Sequence, residues 1–344
     1  MIPPIVNPPV GPYNNLYGFA PHLQLPYTLQ WNASVEQALG KSQTFTVSYV
    51  GSHGSRLLQE NVFEPTNNPN ASFISVGENG LTSDYDSLQV QFRRRLARGL
   101  TALASYTWSH CIDYGSSNYL VGYQRGDCDF DVRHNFSAAF SYDLPNVGHG
   151  GFVDAVLHHW GLDDRFTART AFPVDVIGNQ LFQPNGQIYY GGLDFVPGQP
   201  VYLYGANCAS VLRGLGELQS GQGCPGERAI NPNAFVAVSS GYGDVPRNFA
   251  RGFDAGQMDL AVRREFPIYE NLKLQFRTEV FNIFNHPNFG AINSSCGGTP
   301  GTPGCTTPQF GQATTTLASS LGVLSPLYQQ GGPRSMQFAL KLIF

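Results

Sequence analysis

A chain of 344 residues in which only 13% of side chains are charged departs from ordinary soluble domains, where the share is about 25%. Its net charge of -4 provides no single-sign field for a polyanion, so nothing in the composition calls for nucleic acid. The 42% hydrophobic and 13% aromatic content excludes disorder, while no apolar run approaches the roughly 18 residues of a membrane helix.

In chain order, the opening MIPPIVNPPVGPYNN lacks the charged, apolar and small-residue zones of a secretory leader. Residues 1–23 are taken as a loop or truncated start. Beyond them, alternation with period two dominates and helical spacing hardly appears, which makes the chain all-β. Phe45, Val47 and Tyr49 oppose Thr44, Thr46 and Ser48. Leu88, Val90 and Phe92 oppose Gln89, Gln91 and Arg93, and Met258, Leu260 and Val262 oppose Asp259 and Arg263. Leu272, Leu274, Phe276, Thr278 and Val280 oppose Lys273, Gln275, Arg277 and Glu279; Met336, Phe338, Leu340, Leu342 and Phe344 oppose Gln337 and Lys341.

The predicted strands lie near 24–38, 42–62, 84–97, 99–110, 131–143, 160–177, 254–266, 270–285 and the C-terminus, with an extra hairpin around Ile188–Tyr190 and Val201–Tyr204. Tight turns at Leu39–Ser42, Ala97–Gly99 and Pro267–Asn271 alternate with long connections over 63–83, 110–130, 178–253 and 286–333. The connection 144–159 is longer than a turn needs and is assigned a short helical piece. Strands of about 10 to 16 residues exceed the globular mode of about 5–6 and reach the 9–11 or so that cross a bilayer. Aromatic residues such as Tyr27, Trp31, Tyr106 and Trp108 gather at strand ends, as in interfacial girdles. The reading is an antiparallel transmembrane β-barrel meander with short periplasmic turns and long extracellular loops, in which 24–344 forms one partial outer-membrane barrel unit. A secreted soluble β-protein acting as adhesin or lectin is the alternative, since alternation alone fits a sandwich too. By strict alternation Arg94 falls on the apolar face, where snorkelling beside the Ala97–Gly99 turn accommodates it.

The cysteines form three local pairs, Cys111 with Cys128, Cys208 with Cys224 and Cys296 with Cys305, each in a long connection. They are candidate loop disulfides of an oxidising compartment, or else six separate thiols. The parity of the strands, set without reference to them, places all three pairs on the extracellular side.

Several strings carry a family resemblance. Phe276-Arg277-Thr278-Glu279-Val280-Phe281-Asn282-Ile283-Phe284-Asn285-His286-Pro287-Asn288-Phe289-Gly290 resembles the penultimate-strand motif of Oar-like TonB-dependent outer-membrane receptors. The strand opening Pro26–Glu36, the corner Ser48–Gly54, the strings Tyr106–His110 and Asp131–Phe136, and the terminal Leu340–Phe344 resemble the same family. The resemblance implies roughly the last two-fifths of a 22-stranded barrel, in the cell outer membrane of Gram-negative type. It implies uptake of a bulky nutrient, whether oligosaccharide, peptide or metal chelate, with the TonB complex reached only through a plug that this chain lacks. A non-functional receptor fragment is the other reading of the same resemblance. The implied partners are outer-membrane lipid and the barrel-assembly machinery, for which the aromatic terminus Phe344 resembles the recognition signal.

No G-x-S-x-G elbow, phosphate loop or H-E-x-x-H motif is present, and the chain is read as a non-enzyme without a cofactor or metal. His158, His159, Asp163 and Asp164 form a weak metal set, because neighbours on a strand face opposite ways. The run Asp127-Cys128-Asp129-Phe130-Asp131 offers oxygen ligands for calcium but lacks the glycine and glutamate of an EF-hand. Tyr114–Tyr123 and Gln187–Gly192 suit stacking on sugar-like ligands or are simply solvated loops; the ligand-binding residues are unknown.

Overall fold

The computed structural model describes residues 13–65, 71–115, 124–145, 158–269, 272–317 and 331–344. Its frame is a curled 13-stranded sheet. The long strands are β1 (Tyr13–Phe19), β2 (Tyr27–Leu39), β3 (Gln43–Phe63), β4 (Ala71–Ala97), β5 (Leu100–Asp113), β6 (His134–Asp143), β7 (Trp160–Arg169), β8 (Ala255–Tyr269), β9 (Leu272–Phe281) and β10 (Ser335–Ile343). From β2 to β10 each pairs antiparallel with the next, a plain meander. Among the described residues β2 is bonded along one edge, to β3, and β10 along one edge, to β9.

Register shows why the alternating sequence makes a wall. Val35, Val47, Val90, Tyr106, Phe136 and Ala168 stand in one row across six strands, and Phe45, Phe92, Ala104, Ala138, Phe166 and Met258 in another. The row between them, on the other face, reads Glu36, Thr46, Gln91, Ser105, Ser137, Thr167 and Gln257. The apolar face is the exposed one: Met336, Phe338 and Leu340 are 60%, 66% and 71% exposed, while Ser335, Gln337 and Ala339 opposite are half-buried. A soluble sandwich would bury that apolar face against a second layer; hydrocarbon is the solvent that suits it here. The other face is stitched by polar contacts, including Ser34–Ser48 and Ser105–Ser137 at 2.8 Å. Lower down, Arg263 bonds Asp143 at 2.5 Å, and Arg277 pairs with both Asp163 and Glu279.

At one rim the connections are tight except for 144–159. Ala97 pairs with Leu100 across Arg98 and Gly99, whose φ values of 54° and 77° are those a two-residue primed turn demands. Arg94 sits beside this turn, donating to the Ala97 carbonyl at 3.2 Å, so its charge leaves the apolar row at the membrane edge. Arg264, likewise on the outer face, lies over the rings of Trp160 and Phe266 at 5.3 and 4.5 Å.

The opposite rim departs from expectation in four places. Where a loop over 63–83 was predicted, β3 and β4 continue for 21 and 27 residues and carry a hairpin well past the bilayer. Within the expected loop 1–23, β1 runs parallel to β4, Tyr13 against Ala71. The anticipated hairpin is absent as such: Gln187–Tyr190 pairs with Gln180–Phe182 and with β3, whereas Tyr202–Tyr204 pairs with Arg228–Ile230. Strand β7 also ends at Arg169 rather than near 177. Most of 144–159 lies outside the described residues.

Above this rim the segments 170–254 and 282–317 pack into a cap. It contains the largest buried apolar cluster among the described residues, including Leu193, Ile230, Phe235, Val245, Cys296 and Phe310. Phe235 is fully buried, its ring 5.9, 6.1 and 6.0 Å from those of Phe195, Phe249 and Phe310. A second cluster of Leu203, Cys208, Leu212, Cys224 and Ala229 surrounds helix α1 (Gly205–Gly214), an element that period-two reading missed.

Candidate functional site

The cap is tied to the wall by arginines. The Arg247 side chain, 2% exposed, donates to the Asp113 carboxylate at 2.7 Å and to the Asp129 carboxylate at 2.8 Å. Burial alone would lower its affinity for the proton, but hydrogen bonds and charge from Asp113 and Asp129 hold the guanidinium above its ordinary range. Asn248 donates to the Asp127 carbonyl at 2.6 Å and to Asp129 at 2.8 Å. Asp131 is the second anchor, accepting from the Cys111 N–H at 2.8 Å and from Arg251 at 2.8 Å, with Arg133 also at 2.8 Å. Burial pushes its carboxyl up, yet Arg251, the Cys111 N–H, Arg133 and His110 outweigh burial and keep it below the usual carboxylate range. Removing one partner of such a buried pair costs about 3–5 kcal/mol.

Those pairings also settle the carboxylate run. His110, Asp127 and Asp131 bring ligand atoms within 4.8 Å of one another, but Arg133 and Arg251 already neutralise both carboxylates, and Asp129 turns away to Arg247. Asp163 and Asp164 diverge: Asp163 joins Arg263 and Arg277 on the polar face, and Asp164 sits in register between Phe140 and Leu260. In the structure Cys111 is joined to Cys128, Cys208 to Cys224 and Cys296 to Cys305, all at the rim opposite the tight turns. Their short loops correspond to about 3 kcal/mol each in the chain-entropy account.

Between clamp and cap opens a cavity of 540 Å³, at the level where β7 ends. Phe130, Phe172, Phe253, Phe289 and Ile292 form much of its wall; its polar groups include Asp129, Arg169, Asp175, Arg247, Asn248 and Ser294. A second cavity of 440 Å³, lined by Leu57, Leu58 and Leu81 of the long hairpin, shares Gly115 and Phe130 with it. Phe130, 63% exposed on the disulfide-tethered loop, stands between the two. Of the segments singled out as ligand-facing, most of Tyr114–Tyr123 lies outside the described residues. Gln187–Gly192 is structural, with Tyr189 buried, accepting from the Gly241 N–H at 2.9 Å. Neither Arg169, at the end of β7, nor Arg247, in a long connection, stands out by pattern, since an arginine looks the same there whether it is solvated or clamped.

The penultimate-strand motif acquires a physical meaning at this rim. Asn282 and Asn285 adopt φ of 49° and 51°, turning the chain out of β9. Asn282 donates to the carbonyls of His286 and Gly332 and accepts from the His286 N–H, while Asn288 bridges to Gly256 on β8 in both directions. The asparagines of the motif therefore lock the exit from β9 to its neighbours.

A meander whose apolar face is exposed, whose other face is polar and whose tight turns and capped loops occupy opposite rims defines a wall of a membrane-spanning β-barrel. The chain belongs to the outer membrane beta barrel domain family, which matches residues 2–337. It is thus an outer-membrane protein of the Gram-negative type, with the cap on the extracellular side by the turn-length rule. Comparison with curated proteins gives no match. Among solved structures it is similar to the outer membrane transporter YddB from Escherichia coli, at 10% identity and a TM-score of 0.46, over 93% of this chain and 33% of that one. It is similar also to the ferric-catecholate import receptor Fiu from K12 E. coli, at 8% identity and TM-score 0.42, over 92% and 27%. FpvA of P. aeruginosa, determined with heterologous pyoverdines, shows 12% identity and TM-score 0.40 over 90% and 26%. The chain therefore spans about a third or less of the structures it resembles.

Proposed function

We propose that this chain is the C-terminal part of the barrel of an Oar-like TonB-dependent outer-membrane receptor, which takes up a bulky nutrient such as an oligosaccharide, peptide or metal chelate. The observation that carries the reading is the clamped cavity at the extracellular end of a polar-lined wall. A barrel that served only as a membrane anchor has no use for a buried arginine holding a folded cap over its mouth. The motif that locks β9 supports the family subtype. The edges of β2 and β10 that no strand covers among the described residues need partners in lipid, each unsatisfied backbone group there costing several kcal/mol. Strands outside this sequence supply them in this reading, together with the plug through which the TonB complex acts. Phe344, 91% exposed just past β10, serves as the barrel-assembly signal, and the cysteines stay oxidised outside the cell. The role is transport rather than catalysis.

Reading the DNA continuous with the Met1 codon tests this proposal. An in-frame plug and the remaining strands are the expected result; a stop codon directly before a start at Met1 overturns it. The soluble adhesin or lectin reading is set aside by the exposed apolar face together with the outer-membrane family.

A further inference from the structure

The polar groups of the rim cavity are unequally satisfied. Arg247 is consumed by Asp113 and Asp129. Arg169, half-buried, stacks 4.1 Å from the Phe172 ring centroid and donates to the Thr170 carbonyl at 3.2 Å, yet among the described residues no carboxylate lies within ion-pair distance of it. Asp254 acts on it electrostatically from beyond ion-pair distance, its carboxylate fixed by the Ala171 N–H at 2.8 Å. Asp175, also half-buried on the cavity wall, accepts a long 3.3 Å bond from the Asn248 N–H and forms no ion pair among the described residues. Burial pushes its carboxyl up, and neighbouring Asp129 adds to that, against the Asn248 N–H and the charge of Arg247. One cavity thus offers a cation and a carboxylate, neither of them in a direct ion pair among the described residues, on a wall of phenylalanines.

We propose that this cavity takes a zwitterionic oligopeptide, its carboxylate against Arg169, its ammonium against Asp175 and its apolar side chains among Phe130, Phe172, Phe253 and Phe289. The proposal rests on the receptor reading above and chooses among its nutrient classes. An oligosaccharide calls for a lining dense in hydroxyl and amide partners, whereas among the described residues Asn248 and Ser294 are the neutral polar side chains lining this cavity. An anionic metal chelate would find no net positive field, since Arg169 and Arg247 in the lining are matched by Asp129 and Asp175. At 540 Å³ the space lies within the range of about 300–1,000 Å³ that encloses small ligands, enough for a short peptide.

The test is equilibrium dialysis of outer-membrane vesicles carrying the full receptor against a tritiated tripeptide of phenylalanine and leucine. Saturable binding is expected, about tenfold or more weaker in Arg169→Gln and in Asp175→Asn, as for loss of a charge-assisted bond. Arg169→Lys should restore part of it, and N-acetylated, C-amidated peptide should not compete. Heat-modifiable migration on gels certifies that each variant is folded. Equal competition by the blocked peptide, or no saturable binding by folded wild-type receptor, overturns the proposal. Binding of maltohexaose or of a ferric catecholate in place of peptide overturns the peptide and leaves the receptor reading standing. The receptor reading fails separately, if the upstream DNA encodes no plug.

Discussion

In the wall, Phe338 holds its ring out toward lipid while Gln337 and Ser335 turn to the polar side; in the cap, Phe235 is sealed among three other phenylalanines with none of its surface exposed. The same side chain is used under opposite solvent rules within one chain. The wall derives its order from backbone ladders and from a solvent that accepts apolar surface. The cap, standing in water, must build a core of its own and is cross-linked within by disulfides at Cys208–Cys224 and Cys296–Cys305. Arg247 and Asp131 sit at the junction, where neither lipid nor a hydrophobic core is at hand and ion pairs join the two regimes.

The largest effect should separate the regions most cleanly. Phe235→Ala should cost the cap about 3–5 kcal/mol, read as new protease cleavage within 170–254, while heat-modifiable migration of the barrel stays unchanged. If both are lost together, wall and cap form one cooperative unit. The reciprocal change is Phe338→Arg, expected to destabilise the barrel by about 2–4 kcal/mol if the site lies near the bilayer midplane. Urea unfolding in vesicles would measure it, with cap proteolysis as control.

Acid should act on the junction. Because the folded carboxyl of Asp131 titrates below its unfolded value of 3.8, its contribution is fully present above that value. It is lost as the pH falls below about 4 and through the depressed folded value. Protease sensitivity of the 124–133 loop should therefore rise in that window, and Asp131→Asn should lose the dependence. The smallest effect belongs to the polar face. Ser105→Ala removes the 2.8 Å contact with Ser137 and should cost about 1 kcal/mol or less in the same urea measurement.

The wall was legible because membrane strands must alternate: the apolar rows that the sequence displays in β3, β4, β8, β9 and β10 share one face, which Asp164 interrupts on β7. The upper part of β3 and β4 was not. Ala71–Ser83, with Gly77, Gly80 and mixed polar residues, lies beyond the bilayer and has no single greasy face to announce it. Helix α1 was hidden in the same way, since its ten residues bury just Cys208, Ala209 and Leu212. Of the site, the cysteines could be seen by their local spacing and the 127–131 run by its carboxylates, while Phe130 within that run carried no signal of its own. Arg247, Asn248 and Arg169 acquire their importance from partners that no spacing rule connects, as with the 134 residues separating Arg247 from Asp113.

The cap draws its core from two connections that flank the β8–β9 hairpin. Ile177 bridges to Ser295 and Val236 to Pro303, and Cys296 is buried among residues of the other segment. Exchange of a single loop between related barrels would transplant half a core and leave the other half without its complement. Only a paired exchange of 170–254 with 282–317, on a hairpin kept in register, would carry the cap's core intact; recombination in nature and grafting at the bench face the same restriction.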